Sequence, residues 1–305
     1  MQKTLKHESE LSGVGLFTGE KVSIKLLPAP TGSGIVFERV DLPGRPQIPA
    51  KLEYVRDTFR STRLASDAAS LFMVEHILSA LSAFEIDNVR IEVDGPEIPA
   101  CDGSAKTFVD LLEQAGICTQ DEPKRVFSLD KPVYWSEGDI HLVALPSDEY
   151  RISYTLHYPQ SKLLSSQYYS FSVSREGFKD EISNCRTFAL YEEIAPFIEK
   201  GLIKGGRLEN AVIVKGDSVL NPEGLRYSDE MARHKILDLL GDLYLIGGSL
   251  KAHIIAVRSG HASNIALAQK LQNHFKQRGI EPILTDIAEQ VKSSISINAA
   301  CKGAR

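Results

Sequence analysis

Residues 230–248, EMARHKILDLLGDLYLIGG, read as one buried helix that carries polar groups where such a helix should be apolar. Leu237, Leu240 and Tyr244 mark an apolar stripe. His234, Asp238 and Asp242 recur at intervals of four, so they stack along a single face within about 80° of arc. Three ionisable groups on so apolar a helix are costly to bury unpaired, so the rest of the chain has to supply partners for them.

Outward from this helix the chain reads as one plan used twice. In the second half, RVFSLDKPVYW, GDIHLVALPS and EYRISYTLHY are strands ahead of it, and a mixed insertion occupies roughly 184–215. The strand LKAHIIAVRSG and the helix ASNIALAQKLQNHFKQRG follow. In the first half, GEKVSIKLLPA and GSGIVFERV alternate apolar and polar residues between Gly and Pro turns. SLFMVEHILSALSAF then has helical periodicity, with Phe72, Ile77, Leu78, Leu81 and Phe84 on its apolar side. DNVRIEVDG is a strand, and DGSAKTFVDLLEQAG opens at a capping Asp or Ser and closes at Gly116. The polar CTQDEPKR separates the halves as a linker. The expected organisation is two mixed α and β units, 1–120 and 126–286, with a flexible tail at 287–305. The halves share element order and little residue identity.

A chain of 305 residues is long enough for two such units, each with its own core. The net charge of −5 argues against nucleic acid as the main partner, because a surface that tracks phosphates needs a basic excess. The opening MQKTLKHESELSG has no apolar segment of the kind a secretory signal carries. No run approaches the ~18 apolar residues of a membrane span. Cys101, Cys118, Cys185 and Cys301 are scattered without CxxC pairing, which reads as reduced thiols. Together these predict a cytoplasmic protein.

The first helix of each half carries one histidine, His76 in VEHILSAL and His234 in RHKILDLL. If the halves face each other across these helices, the two imidazoles converge with Asp238 as a His, His, Asp set with an open position, the donor set of a catalytic zinc. Glu75, adjacent to His76, points about 100° away around its helix. That places it outside the ligand set and in reach of a water whose pKa zinc would lower to about 7. His261, in the Gly-flanked turn of RSGHASN, is a candidate acid that Asp242 can orient. Thr187 in NCRTFAL can hold an oxyanion. Each has an ordinary alternative: a hydrogen-bonded His–Asp pair on a helix, a surface histidine, a threonine in a turn. Convergence on one cleft separates the two readings.

Taken together, SGVGLFTG, VEHILSAL, DNVRIEVDGPEIPACDGSA, RTFAL, GLIKGG, RHKILDLLGDLYLIG and SGHASN resemble, in order and spacing, the UDP-3-O-acyl-N-acetylglucosamine deacetylases. These are zinc amidases of the committed step of lipid A synthesis in Gram-negative bacteria. The resemblance runs from about Lys3 to Ile280. It implies an α+β fold of two similar domains, each layering helices on a β-sheet as a β-α-α-β sandwich, with the active site between them. It implies His76, His234 and Asp238 as metal ligands, Glu75 as general base and His261 as the histidine that protonates the leaving amine or stabilises the oxyanion. Thr187 matches the residue holding the tetrahedral intermediate, Asp242 the partner of the catalytic histidine, and Lys235 a substrate contact. An insert at about 188–213 implies an acyl passage, to which Phe188, Ile194, Ile198, Ile203 and Gly206 would contribute. Two residues depart from the pattern. Phe17 stands where many members have histidine. Ser61 stands where some have a cysteine near the metal, a change expected to alter binding of an inhibitory second ion.

The implied reaction is hydrolysis of the N-acetyl group of an acylated UDP-amino sugar, with Zn2+ or Fe2+ as the ion, no nucleic acid or transmembrane segment, and a monomer as the working unit. A non-catalytic nucleotide-sugar or acyl-binding module is the rival from another class, and it gives no reason for Glu75 and His261 to share a cleft. A zinc deacetylase for a different N-acetyl sugar is the rival within the same chemistry.

Overall fold

The repeated plan is carried by strand order in two sheets. The computed structural model describes residues 1–279; the expected tail at 287–305 and the end of the second unit lie outside the described residues. In the first half the sheet order is Ser9–Val14, Lys21–Pro28, Val89–Val93, Ile35–Arg39, Gln47–Pro49. In the second it is Val133–Glu137, Ile140–Pro146, Ser249–Val257, Arg151–Leu156, Gln167–Ser172, with a sixth strand, Val126–Ser128, paired in parallel to the start of Ser249–Val257 off that path. Each sheet starts with a hairpin. Each then places its last strand in the centre, antiparallel to the second strand and parallel to the third. The central strands are the ones the sequence marks most clearly: Val89, Ile91 and Val93 alternate inward, as do Leu250, Ala252, Ile254 and Ala256.

Helices flank each central strand in sequence. α1 (Glu75–Ala83) precedes the first and α2 (Lys106–Ala115) follows it. After the short turn α3 (Arg175–Gly177) and α4 (Tyr191–Glu199), α5 (Glu230–Tyr244) precedes the second and α6 (His261–Gln277) follows it. α1 and α5 make the most extensive pairing of any two elements among the described residues. Every residue of α1 is buried, and on α5 only Arg233 and Lys235 are not. The polar face of α5 is therefore turned inward against α1. The mixed α+β architecture agrees with the expected class.

Glycine sets how close these helices come. A Cβ on Gly241 would lie 2.1 Å from the carbonyl oxygen of Glu75 and 2.9 Å from its carbonyl carbon, so only a bare Cα fits at the crossing. At the start of α5, the fully buried guanidinium of Arg186 holds Glu230 through Nε at 2.9 Å and Nη2 at 3.1 Å. That pair fixes the helix beside the strand Phe188–Leu190.

Three expectations are corrected. The helix expected from Ser70 starts only at Glu75, because Ser70–Leu71 pairs with Arg63–Ala65 and Met73 takes a left-handed φ of 63° that stops helix propagation backwards. Phe72 thus lies outside the helix. The linker begins as structure: Ile117–Thr119 pairs with Lys3–Leu5, an edge ladder too short to show alternation. His261 is the first residue of α6, after Gly260, rather than part of a turn. Besides that two-stranded ladder, two three-stranded sheets lie outside the repeat among the described residues. One, of Val55–Asp57, Arg63–Ala65 and Ser70–Leu71, was not read from the sequence. The other occupies the expected second insert, where Phe188–Leu190 and Val212–Lys215 pair in parallel around α4, with Ser218–Val219 at the edge.

Substituting Gly241→Ala should lower stability by about 1–3 kcal/mol, the usual cost of overpacking, because backbone rather than a flexible side chain must move. Urea unfolding measures this; an unchanged midpoint would contradict the close crossing.

Candidate active site

The α1–α5 crossing gathers the ionisable groups. His76, at the start of α1, and His234, on α5, meet edge to face with ring centroids 5.0 Å apart. His234 Nδ1 lies 3.0 Å from the carbonyl oxygen of Cys185, so Nδ1 carries the proton and Nε2 keeps its lone pair. Burial pushes the His234 pKa down to about 4, which keeps the ring neutral and able to donate to a metal.

Asp238 lies between the two imidazoles. Its Oδ2 accepts from Lys235 Nζ at 2.8 Å. Its Oδ1 is buried without a hydrogen-bond partner, 3.4 Å from His234 Nε2 and 3.7 Å from His76 Nε2. Burial alone would raise the Asp238 pKa, yet Lys235 and the nearby imidazoles hold it well below the usual carboxylate range. Lys235 shows the reciprocal effect: burial would lower its pKa, and the Asp238 charge raises it.

These atoms suit one ion. Ligand atoms of His76, His234 and Asp238 lie within 4.8 Å of one another, and all three residues are buried. Ligands about 2.1 Å from a tetrahedral ion stand roughly 3.4 Å apart, close to the separations seen here. A buried carboxylate oxygen with no donor is the feature a cation would satisfy.

The remaining site residues lie next to this set. Glu75 is 1% exposed, and burial raises its pKa against the opposing pull of His261 and His76. Its Oε2 accepts from the Thr62 backbone N–H at 3.1 Å, and its Oε1 lies 3.9 Å from His261 Nε2. Asp242 Oδ2 accepts from His261 Nδ1 at 2.9 Å, leaving Nε2 aimed towards Glu75 and Asp238. Burial would lower the His261 pKa, but Asp242 and then Asp238 raise it to about 9. Thr187 is fixed on both sides by its backbone, its N–H donating to Gly103 and its carbonyl accepting from Val212.

Two adjoining cavities open here. One of about 140 Å³ is lined by Glu75, His76, Asp238, His261, Thr187 and Lys235. It shares Phe188 and Thr187 with a second, of about 300 Å³, lined by Ile194, Ile198, Ile203 and Gly206. The floor of the second is built by two loops from opposite halves: Gly205 N–H donates to Leu16 O at 3.0 Å, and a Cβ on Gly205 would lie 1.9 Å from Gly15 O. Glu97 clamps the same loop, accepting from the N–H groups of Phe17 and Thr18.

All of the residues expected at the site therefore line one of the two cavities or touch a residue that does. Ile198 is half exposed and forms the rim. Phe17 lines the apolar cavity and packs on Phe72 with centroids 6.2 Å apart, consistent with an apolar role at that position. Ser61 is buried with its Oγ unpartnered. Sequence reasoning missed Thr62, Asn264, Glu97 and Arg186. Asn264 donates to Asp242 Oδ2 at 2.9 Å and stands three residues after His261 on α6, a spacing that could have marked it.

A family model described as UDP-3-O-acyl N-acetylglycosamine deacetylase matches residues 2–273. The UDP-3-O-acyl-N-acetylglucosamine deacetylase of Chlamydia pneumoniae is 49% identical over 271 residues, covering 88% of this chain and 96% of that protein. The proteins of the same name from Chlamydia caviae and from Chlamydia trachomatis serovar L2 are 50% and 48% identical over 270 residues, covering 88% of this chain and 96% and 94% of theirs.

Metal analysis of desalted protein should find one divalent ion per chain. His234→Ala and Asp238→Ala should each lose it, while Ile203→Ala should keep it. Full occupancy in both ligand variants would contradict the ligand set.

Proposed function

The chain belongs to the UDP-3-O-acyl-N-acetylglycosamine deacetylase family, and from that premise we propose that it removes the N-acetyl group of UDP-3-O-acyl-N-acetylglucosamine, releasing acetate and UDP-3-O-acyl-glucosamine, the committed step of lipid A biosynthesis. The observation that carries the reading is the shared wall of the two cavities: Thr187 and Phe188 line both the cavity holding Glu75, His76, Asp238 and His261 and the one lined by Ile194, Ile198 and Ile203. A different N-acetyl sugar would have no use for that passage.

His76, His234 and Asp238 would hold the ion, zinc in the first instance, with iron(II) compatible with the same donors. Bound there, it supplies Lewis acidity that polarises the amide carbonyl and makes water a nucleophile near neutral pH. Glu75 takes the proton of the attacking water, a role suited to a desolvated carboxylate that is a stronger base than one in solvent. Addition to the carbonyl carbon places negative charge on the amide oxygen, where the Thr187 hydroxyl and His261 offer donors. His261, protonated and held by Asp242, delivers a proton to the departing nitrogen. The C–N bond then breaks, leaving acetate and a free amine on the sugar. Lys235 keeps the Asp238 carboxylate ionised and presents its ammonium at the cavity wall as a substrate contact.

The 3-O-acyl chain lies in the passage formed by Phe188, Ile194, Ile198, Ile203 and Gly206. Each buried CH₂ contributes up to about 0.8 kcal/mol, which can be used to hold the sugar in register with Glu75. Among the described residues no helix is long and apolar enough to cross a membrane.

Acylated substrate should be deacetylated with a kcat/KM orders of magnitude above that for UDP-N-acetylglucosamine. Ile203→Asp should reduce the preference while retaining the ion, and Ile198→Asp should reduce it less because that side chain is half exposed. Equal values for the two substrates in the wild-type enzyme would assign the site to another N-acetyl sugar.

A further inference from the structure

Thr62 is the residue on which both halves of the proton machinery meet. It is fully buried, in the loop between the strands Val55–Asp57 and Arg63–Ala65. Its backbone N–H donates to Glu75 Oε2 at 3.1 Å. Its hydroxyl donates to Asp242 Oδ1 at 2.5 Å and stands 3.4 Å from His261 Nδ1. One residue of the first half thus holds a carboxylate on α1 with its backbone and a carboxylate on α5 with its side chain.

The hydrogen-bond inventory of Asp242 explains why this matters. Oδ2 takes two donors, His261 Nδ1 and Asn264 Nδ2, both on α6. Oδ1 takes Thr62 Oγ1, the single donor to that oxygen among the described residues. A carboxylate held at Oδ2 alone can swing about its Cβ–Cγ bond and carry the imidazole with it. A donor on Oδ1 from the opposite half stops that rotation. Because the same residue anchors Glu75 through its N–H, the base and the acid are referred to one fixed point, and their 3.9 Å separation is set there.

We infer that Thr62 is a positioning residue for the hydrolysis: its hydroxyl locks the Asp242 carboxylate so that His261 Nε2 stays aligned with Glu75 across the cleft. This rests on the deacetylase reading above. Thr62 is not one of the three ligand residues and does not itself line either cavity, reaching the site only through Glu75, Asp242 and His261, so its loss should act on turnover and leave substrate binding intact. Partners at this distance from the reacting atoms typically contribute about 10–100-fold to activity.

The test is steady-state kinetics on metal-replete full-length protein carrying Thr62→Val, Thr62→Ser or Thr62→Ala, with metal content and the ¹⁵N shifts of the His261 ring read in parallel. Thr62→Val keeps the shape and removes the donor. It should lower kcat by about 10–100-fold with KM and metal content unchanged and with the His261 ring shifts displaced. Thr62→Ser keeps the hydroxyl and should restore most of kcat. If Thr62→Val fails to fold, Thr62→Ala decides, with the same loss expected. Full kcat in a folded variant without the hydroxyl would overturn the inference, as would a Thr62→Ser loss as large as that of Thr62→Val. Either result would leave the deacetylase reading standing, because that reading is decided by the wild-type enzyme's activity on acylated and non-acylated substrate and not by any Thr62 variant.

Discussion

The structure depends on a contact between backbones. At Gly241 the crossing of α1 and α5 leaves no room for a Cβ, which would fall 2.1 Å from the Glu75 carbonyl oxygen. Asp238 stands three residues before that glycine and Asp242 one after it. Glu75 and His76 are the first two residues of α1. The approach therefore brings two carboxylates of one helix against a carboxylate and an imidazole of the other. A larger residue at the crossing would separate groups whose usefulness depends on being within about 4 Å of each other.

Such crowding of charge in a buried place needs a reason, and the electrostatics divide it into two groups. Asp238 is ionised beside Lys235 and keeps one oxygen without a donor, facing two imidazoles of which His234 is held neutral by burial. That is a set arranged for a cation. Glu75 and His261 form the other group, both shifted upward, to a more basic carboxylate and a proton-retaining imidazole. A carboxylate made a stronger base beside an imidazole that keeps its proton gives a site both a base and an acid. Burial drives Glu75, and the Asp242 charge drives His261, so the same low-dielectric crossing produces both shifts through different partners.

Much of this was legible in the sequence, for identifiable reasons. The interval of four between His234, Asp238 and Asp242 is a property of helix geometry and survives into the fold unchanged. The central strands announce themselves by alternation, so element order was readable, and the order turned out to be one sheet topology used twice. Other features depend on long-range contact and left little local trace. The extent of α1 was misread because Phe72 and Met73 continue the apolar pattern while their backbone does not continue the helix. Thr62 looks like any threonine in a polar loop, since Glu75 meets it only through the folding of its own half and Asp242 only when the halves close. Arg186 sat inside a quoted motif, yet its purpose, anchoring Glu230 at the start of α5, is visible only in three dimensions. Glycines 15 and 205 likewise gain meaning only from facing each other.

The central claim is that the groups at this crossing divide into an ion-holding set and a proton-moving set, with Glu75 in the second. Glu75→Gln separates them, because it removes the base while preserving volume and hydrogen bonding. The direct measurement is metal content and single-turnover deacetylation of the acylated UDP-amino sugar on the same sample of that variant. The account predicts full metal occupancy with the chemical step slowed by about 10²–10⁴-fold. Loss of the ion in step with activity, or a chemical step at the wild-type rate, would contradict it.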